Sequence, residues 1–380
     1  MSTDVTIREC TSKADLKRFA AVARNLYQRV EGYQPALDLI EFQNIDPGFN
    51  PYFKHAASAF WIAYKDGRAV GRIGAQVDTL DAEMGRKGMG HFGSLAAGND
   101  PALVAQLFGV AHQWLKARGV TEVTGPFNMS INAESGMLVG GFTERPMFLI
   151  PWDPPWLGPL VEKAGYAKAV DLYSYDYPQL SKPISAARRM IDRGLDSRIT
   201  VRLANMKKIG RETTIVRDVF NDAWRDNWGF VPYTEAEINH LAKELKPFLL
   251  DECVSIVEVD GEPVAFALAL PNLMELFAGC NGKLLPAGWF TVLSRWMKGN
   301  YRTARVALMG VRKKYKDTAL GASLALLAIE KLREGAARHG LESAELGWVL
   351  DTNQPMRRML ELLGARPYKT HRVYSRSLTS

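Results

Sequence analysis

The sequence predicts an α/β protein built from two tandem copies of one unit, each a mixed, mostly antiparallel sheet flanked by helices. The 380 residues are many for one domain and sufficient for two. Along the chain the order strand, helix, hairpin, strand, helix, strand, helix, strand occurs twice, although the halves share no obvious sequence identity. The predicted domains are therefore 1–178 and 197–380, joined by a connector over 179–196 that contains a basic helix.

Local signals place the elements of the first half. A hairpin over 59–77 turns at Asp66-Gly67, a dipeptide typical of two-residue turns. A helix begins at Pro101, shows apolar residues at a 3.6-residue period, and ends before Gly119. The other predicted elements of this half are a strand and helix over 6–29, a strand over 120–123, and a short helix, glycine turn and strand over 156–177.

The second half repeats this order. Its hairpin, over 254–270, turns at Asp260-Gly261. Its other predicted elements are strands over 199–203, 304–311, 344–349 and 368–375 and helices over 207–224, 319–338 and 353–363.

Composition excludes several classes of protein. Hydrophobic residues make up 47% and charged residues 23%, as in ordinary globular proteins. No apolar segment follows Met1 and no apolar run reaches the length of a membrane span, so we expect a cytoplasmic protein. The three cysteines are far apart and the six histidines show no ligand spacing, so neither disulfides nor a metal site is predicted.

Positive charge is concentrated in one block. Between Arg295 and Lys316 there are eight basic residues and no acidic one, within a chain of net charge +7. Such a block suits an anionic cofactor, an anionic membrane surface or RNA, or it simply faces water.

The clearest chemical signal is a strand, a short basic loop and a long helix. The strand over 306–311 runs into the loop, and the helix begins through the small residues Ala319, Gly321 and Ala322. Amides at a helix start lack intrahelical partners and carry partial positive charge, and small residues let a ligand approach. With Lys316 nearby, this pattern predicts a site for the pyrophosphate of a nucleotide.

This segment resembles the acyl-CoA motif of the GNAT superfamily of N-acyltransferases. The family motif has a strand ending in Val, an aromatic residue, Arg or Gln, and then two glycines or small residues at fixed spacing. Val311, Tyr315, Lys316, Ala319 and Gly321 stand in that order and spacing, with Lys in place of Arg or Gln and Ala in place of the first Gly. A lysine still meets phosphate as a point charge, although it lacks the planar fork of arginine. The resemblance implies acyl-CoA as co-substrate.

A second similarity follows the next strand. Asn353, Met359 and the residues after them resemble the family run that packs beside the pantetheine arm of CoA. Leu360 stands where many members have a tyrosine that protonates the leaving thiolate. Because Leu360 cannot donate a proton, the resemblance implies another general acid: Tyr368, a water or the acceptor amine itself.

The resemblance also implies direct transfer, in which an amine attacks the acyl-CoA carbonyl. Backbone N–H groups near Met309 and Val311 would orient the thioester and polarise its carbonyl. Because the amine must lose a proton, a carboxylate is expected nearby. Glu345 and Asp351, at the start and just past the end of one strand, are candidates, although an ordinary surface carboxylate is the more usual role of each.

The first half lacks a comparable phosphate loop, since Asp100 occupies the start of its helix. We therefore expect a degenerate copy that does not hold CoA in the usual way. Its loop over 125–136 carries alternating polar residues, among them Asn128, Asn132 and Glu134. Two interpretations are open: these residues line a site for the head group of the acceptor, or the loop is a structural one that is rich in turns.

The connection over 271–303 is long for this family and rich in Leu, Phe, Trp and Met. Residues 286–297 predict an amphipathic helix with Trp289 on its apolar side and Arg295 and Lys298 beside it. This pattern suits a membrane surface or a lipid entry channel, and a core helix that covers the sheet is the alternative.

Residues 125–142 and 160–175 resemble the tandem-GNAT bacterial proteins that include the bacterial ceramide synthase family. That resemblance implies transfer of a long fatty acyl group from CoA to the amine of a sphingoid base, 3-oxosphinganine, with Trp289 near the substrates and peripheral contact with the inner face of a membrane. Three alternatives stay open: a small-amine or amino-acid acyltransferase, a tRNA-dependent aminoacyl transferase that uses the basic block, and an acyl-CoA sensor without catalysis. Nucleic acid is the less expected partner.

Overall fold

The computed structural model describes residues 5–250, 252–316 and 318–379. The strands, in chain order, are β1 (Thr6–Glu9), β2 (Ala56–Lys65), β3 (Arg68–Asp78), β4 (Met89–Ala97), β5 (Glu122–Gly125), β6 (Phe127–Asn128), β7 (Glu134–Ser135), β8 (Met137–Gly140), β9 (Ala167–Tyr177), β10 (Ile199–Leu203), β11 (Val254–Val259), β12 (Glu262–Pro271), β13 (Thr303–Val311), β14 (Ser343–Leu350) and β15 (Arg366–Ser377). The α-helices are α1 (Lys13–Tyr27), α2 (Asp38–Ile45), α3 (Thr79–Glu83), α4 (Pro101–Lys116), α5 (Leu157–Lys163), α6 (Ser185–Asp192), α7 (Ile209–Trp224), α8 (Glu235–Leu245), α9 (Leu273–Phe277), α10 (Gly288–Met297), α11 (Ala319–Arg338) and α12 (Gln354–Leu362).

Contacts divide the chain into two compact units. The first runs from the N-terminal part to Tyr173 and also takes Leu276–Ser294 and the residues from Tyr368 onward. The second comprises Ser174–Glu275 and Arg295–Pro367. The first unit therefore also includes two later segments, one that carries most of α10 and one that carries most of β15.

In the first unit the strands lie in the order β1-β2-β3-β4-β5-β15, and β8 also pairs with β15. These neighbours are antiparallel except β4 and β5, which are parallel over Met89–His91 and Glu122–Thr124. Helix α4 packs on this sheet through residues such as Leu107 and Leu115. The loop predicted at 125–136 contains the short ribbon β6–β7 instead of turns alone.

In the second unit the order is β10-β11-β12-β13-β14. Only β13 and β14 are parallel among these, over Thr303–Val306 and Ser343–Leu346. Helix α11 covers this sheet with Leu324, Leu327 and Ala328. Each unit is therefore a mixed, mostly antiparallel sheet with helices packed on it, as the sequence predicts.

Both predicted hairpins form with the predicted two-residue turns. The turn residues have positive φ, at 50° and 74° for Asp66 and Gly67 and at 52° and 78° for Asp260 and Gly261. Positive φ at both central residues matches the twist of the flanking strands, which explains why Asp-Gly sets each turn.

No helix among the described residues is long and apolar enough to cross a membrane. The predicted helices over 319–338 and 353–363 appear as α11 and α12, and the connector contains the predicted basic helix as α6. Helices α2 and α8 were not predicted, although the capping box of Thr234 and Glu237 and the helical spacing of Ile238, Leu241 and Leu245 indicate α8.

Candidate functional site

Beyond their short paired segments, β13 and β14 continue without pairing to each other. The parallel pairing ends at Val306 and Leu346 within the described residues, while β13 runs on to Val311 and β14 to Leu350. The other edge of β13 stays paired with β12 as far as Val311, with a bulge between Leu268 and Ala269. The far part of β13 therefore presents an open backbone edge that leads into the basic loop and the start of α11.

The first turn of α11 is only partly satisfied by the protein. The Thr318 Oγ1 accepts the Gly321 N–H at 2.9 Å and donates to the Tyr315 carbonyl at 2.7 Å. The Ala322 N–H donates to the Thr318 carbonyl at 3.2 Å. Across residues 5–250, 252–316 and 318–379, no acceptor meets the amides of Ala319 and Leu320. These two N–H groups, at the positive end of a helix of 20 residues, fit an anionic ligand such as a diphosphate.

Gly321 is required by the chain itself. A Cβ at this position would lie 2.0 Å from the Tyr315 carbonyl oxygen, because the loop before α11 passes directly over its first turn. The glycine therefore allows the loop to fold back onto the helix, whereas the sequence argument assigned the small residues only to the approach of a ligand.

The basic loop is held by carboxylates of the same unit. Lys313 pairs with Asp226 at 2.6 Å and lowers the pKa of that carboxyl, and its backbone N–H donates to Asp222 at 2.7 Å. Lys314 pairs with Glu262 at 2.6 Å, and Arg312 lies 3.6 Å from the same residue. Lys316, which is exposed, is the basic residue of the loop that has no ion pair within the described part of the chain.

Trp224, which the sequence analysis missed, reaches the open edge of β13. Its indole Nε1–H donates to the Met309 carbonyl at 2.8 Å, and its ring meets Trp348 of β14 edge-on with centroids 5.6 Å apart. The N–H and C=O of one residue in an antiparallel strand point to the same side. The Met309 N–H therefore faces the open edge too.

Helix α7 can bring Trp224 to this edge because of Gly310. A Cβ on Gly310 would lie 3.2 Å from the Ala223 side chain and 3.0 Å from the Phe266 ring. Nothing in the local sequence around Trp224 indicates this contact, since 85 residues separate it from Met309.

Glu345 is not the surface carboxylate that the sequence allowed as an alternative. It is fully buried on β14, opposite Arg305 in the β13 register, with 3.8 Å between Arg305 Nε and Glu345 Oε1. The Ser174 hydroxyl donates to the same oxygen at 3.3 Å. The pair joins the two strands where they are still paired. Asp351 follows β14 and is half-buried, and its carbonyl accepts from Arg357 at 3.1 Å.

Helix α12 meets a phenol that the sequence analysis did not consider, Tyr175 of β9. Asn353 caps this helix, since its Oδ1 accepts the Met356 N–H at 3.2 Å. Leu360 is buried. The Tyr175 hydroxyl accepts from Arg357 Nε at 3.2 Å and lies 3.4 Å from a carboxylate oxygen of Glu361.

Tyr368, the predicted substitute for the general acid, belongs to the first unit. Lys369 Nζ lies 4.7 Å and the Arg145 guanidinium 5.7 Å from the centre of its ring. Its catalytic role stays a prediction.

In the first unit, side chains of the protein bond to the amides at the start of α4 and to the backbone of β4, the counterparts of the start of α11 and the open edge of β13 in the second unit. Asp100 Oδ1 accepts the amides of Ala102 and Leu103 at 2.9 and 3.2 Å, at the start of α4. The Asn128 Oδ1 accepts the Ser94 N–H of β4 at 2.8 Å. A Cβ on Gly93 would lie 1.8 Å from the Phe127 carbonyl, so the chain itself fills the space beside β4.

The polar residues of the 125–136 loop mostly hold the loop together. The Asn128 Nδ2 donates to Glu134 at 2.8 Å, and the Asn132 N–H donates to Ser130 at 3.1 Å. Their service as an acceptor site stays a prediction. Trp289 lies on α10, where it is 51% exposed, and no residue of this helix is buried. The alternative of a core helix is therefore wrong.

Two known bacterial proteins are similar to this chain over almost its whole length. Protein YghO of Escherichia coli (strain K12) is 39% identical over 372 residues, which covers 98% of this chain and 95% of that protein. The bacterial ceramide synthase of Caulobacter vibrioides (strain NA1000 / CB15N) is 40% identical over 376 residues, with 99% and 98% covered. No family model matches the chain.

Solved structures show the same fold at low identity. A tandem GNAT protein from the clavulanic acid biosynthesis pathway has a TM-score of 0.56 at 11% identity, and the match covers 98% of each chain. A GCN5-related N-acetyltransferase from Sphaerobacter thermophilus has a TM-score of 0.55 at 13% identity, covering 98% of this chain and 95% of that one. The chain therefore belongs to the tandem-GNAT N-acyltransferase family that includes the bacterial ceramide synthase of Caulobacter vibrioides, and it is an acyl-CoA N-acyltransferase.

Proposed function

We propose that this enzyme transfers a long-chain fatty acyl group from CoA to the amine of a sphingoid base, 3-oxosphinganine, and forms a (3-oxo)ceramide. The observation that carries the donor half is the pair of amides at Ala319 and Leu320, which meet no acceptor among the described residues and lie near the open edge of β13. The relative from Caulobacter vibrioides, called a bacterial ceramide synthase, supports the acceptor half. We place the enzyme in the cytoplasm, at the inner face of a membrane.

The donor site is assigned to the second unit. The amides at the start of α11 and the Lys316 ammonium bind the diphosphate of CoA. Tyr315, Ala319, Gly321 and Ala322 shape that turn. The pantetheine arm lies along the open edge of β13 towards Asn353, and the Met309 and Val311 amides orient the thioester. Trp224 orients the Met309 peptide, because its indole N–H donates to the Met309 carbonyl.

The chemistry forms one C–N bond and breaks one C–S bond. The acceptor nitrogen attacks the thioester carbonyl carbon, and the Met309 N–H stabilises the oxyanion that develops on its oxygen. The amine proton passes to a base, for which we assign Asp351, the half-buried carboxylate that follows β14. The CoA thiolate leaves and takes a proton from Tyr175, with Tyr368 as the alternative acid.

The acceptor site is assigned to lipid-binding residues that include Trp289, with Asn128, Asn132 and Glu134 towards the head group. A long-chain amine carries most of its contact area in its hydrocarbon chain, so an apolar wall and few polar groups would suffice to bind it.

The test is incubation of the enzyme with a mixture of acyl-CoAs from acetyl to palmitoyl and with 3-oxosphinganine, small amines and amino acids, read by mass spectrometry. We expect N-acyl-3-oxosphinganine with long acyl chains. Lys316→Ala should raise the KM for acyl-CoA about tenfold, because it removes one charge-assisted contact with phosphate. Lys314→Ala is the matched control, since that lysine is already paired with Glu262, and should change this KM little.

Two results would contradict the proposal. Acylation of a small amine or amino acid, with none of the sphingoid base, would replace the acceptor assignment. Equal activity of wild-type enzyme and Gly321→Glu would show that the start of α11 is not the phosphate site, since a carboxylate there would repel the diphosphate.

A further inference from the structure

An apolar surface stands out on the segment around α10. Among the described residues, eight large hydrophobic side chains are classed as exposed, and five of them fall between residues 285 and 297. They are Leu285 at 77% exposure, Trp289 at 51%, Phe290 at 64%, Leu293 at 46% and Met297 at 75%. We call these five residues the α10 surface.

Helical spacing gathers this surface on one face. Trp289, Leu293 and Met297 are four residues apart, and Phe290 precedes Leu293 by three. Side chains at these spacings lie side by side on a helix. Water therefore meets a continuous apolar strip with two aromatic rings, an arrangement that marks an interaction site more often than a free surface.

The segment that carries the strip is held in place by the protein. The Asp38 N–H donates to the Gly282 carbonyl at 2.8 Å, and the Trp289 N–H donates to the Leu284 carbonyl at 2.8 Å. Phe277, just before it, meets Phe148 edge-on with centroids 6.3 Å apart. The outward direction of the apolar side chains is therefore part of the fold.

The charge beside the strip indicates what covers it. No Asp or Glu occurs between Leu276 and Lys316. Lys283 precedes Leu285 by two residues and Lys298 directly follows Met297; both are exposed, and Arg295 lies on the same helix. Tryptophan and phenylalanine flanked by basic side chains and free of acidic ones match the boundary between anionic head groups and acyl chains.

We infer that the α10 surface docks the enzyme on an anionic lipid bilayer. The inference rests on the proposed function, because both long-chain substrates reside in or at such a bilayer. The two aromatic rings and Leu293 enter the acyl boundary, and Lys283 and Lys298 stay at the level of the head groups.

Vesicle flotation of the full-length protein tests this inference. We compare vesicles of phosphatidylcholine alone with vesicles that also contain phosphatidylglycerol, at low and high salt. The wild-type protein should float with the anionic vesicles, and high salt should weaken this binding. The double variant Trp289→Ser with Phe290→Ser should bind them at least about tenfold more weakly, because two large apolar side chains are lost from the acyl boundary.

Leu362→Ser is the matched control, since Leu362 is 88% exposed on α12, away from this segment in sequence. It should float like the wild type. Lys283→Glu with Lys298→Glu should lose the preference for anionic vesicles. All four side chains changed in the two double variants are exposed, so the thermal unfolding midpoints should stay close to that of the wild type.

The inference falls if the wild type stays in solution with both kinds of vesicle, or if the Trp289 and Phe290 variant floats as well as the wild type. It also falls if the wild type is a dimer by sedimentation velocity and that variant a monomer, because a second copy would then cover the surface. Flotation needs no substrate. N-acylation in detergent without flotation refutes only the docking, and flotation without N-acylation refutes only the proposed function.

Discussion

Two buried carboxylates of the first unit, Asp153 and Asp171, have pKa values that are shifted in opposite directions. Burial raises the pKa of Asp153 to about 7, against the opposing effects of the Leu138 N–H, which donates to it at 3.0 Å, and of Arg72. Burial also acts to raise the pKa of Asp171, but hydrogen bonds and charges from Arg372 and Lys168 lower it overall. The native state therefore favours a protonated Asp153 and an ionised Asp171.

Asp153 should make the protein less stable as the pH rises. Between about pH 4 and 7 the native state holds a proton that the unfolded chain has released, so the free energy of unfolding falls with rising pH in this window. Asp153→Asn keeps an oxygen for the Leu138 N–H and removes the titration. Urea unfolding should show the variant more stable than the wild type above pH 7, by at most about 4 kcal/mol.

Asp171→Asn is the control, because it should change the free energy of unfolding at pH 7 in the opposite direction. Its lowered pKa gives stability that is present above the unfolded pKa and lost as the pH falls, so this variant should be less stable than the wild type at pH 7. An Asp153→Asn profile that follows the wild type at every pH would show that Asp153 is not protonated in the native state.

At the scale of the element, the start of α11 is only partly capped by the protein among the described residues. Thr318 satisfies the Gly321 amide and holds the loop through the Tyr315 carbonyl, while the amides of Ala319 and Leu320 meet no acceptor in the described part of the chain. Helix α4 shows the other solution, in which Asp100 satisfies two amides and a proline removes a third. The same element of the fold is thus open in one unit and closed in the other.

Thr318→Ala should therefore lower the free energy of unfolding by about 1 kcal/mol, the usual loss when a helix cap is removed. The measurement is urea unfolding, with Thr318→Ser as the control that keeps the hydroxyl and should lie within a few tenths of the wild type. Equal loss in both variants would mean that the threonine methyl group, not the cap, stabilises this turn.

At the scale of the whole molecule, the last strand of the chain, β15, belongs to the sheet of the first unit. Strand β15 pairs with β5 through Tyr374 and Gly125 and with β8 through Thr370 and Gly140. The Val373 and Tyr374 side chains are fully buried. A cut within the predicted connector would therefore not yield a complete first unit.

A chain that ends at Pro367 should expose the first unit to proteases, because β5 and β8 lose their neighbour and the core loses Tyr374. Limited proteolysis with mass spectrometry should show faster cleavage before Tyr173 than in the full-length protein. A chain that ends at Leu378 keeps β15 and should resist like the full-length protein. If the shorter chain resists equally, β15 is dispensable for the first unit.

Local sequence determined the regular parts of this protein. Asp-Gly fixes both hairpin turns through its preference for positive φ, and the small residues that begin α11 follow a helix-start pattern that also resembles a known motif. Those signals act within a few residues, so the order of elements, the fold class and the start of α11 could be predicted from the sequence.

Tertiary structure decided what depends on distant contacts. Trp224 meets Met309 across 85 residues, Ser174 meets Glu345 across 171, and β15 returns to the first unit. The exposure of the α10 surface is of the same kind, since the same apolar pattern would suit a core helix. A sequence shows which side chains are apolar or charged, but only the packing of remote segments decides which of them are buried, paired or left facing a ligand.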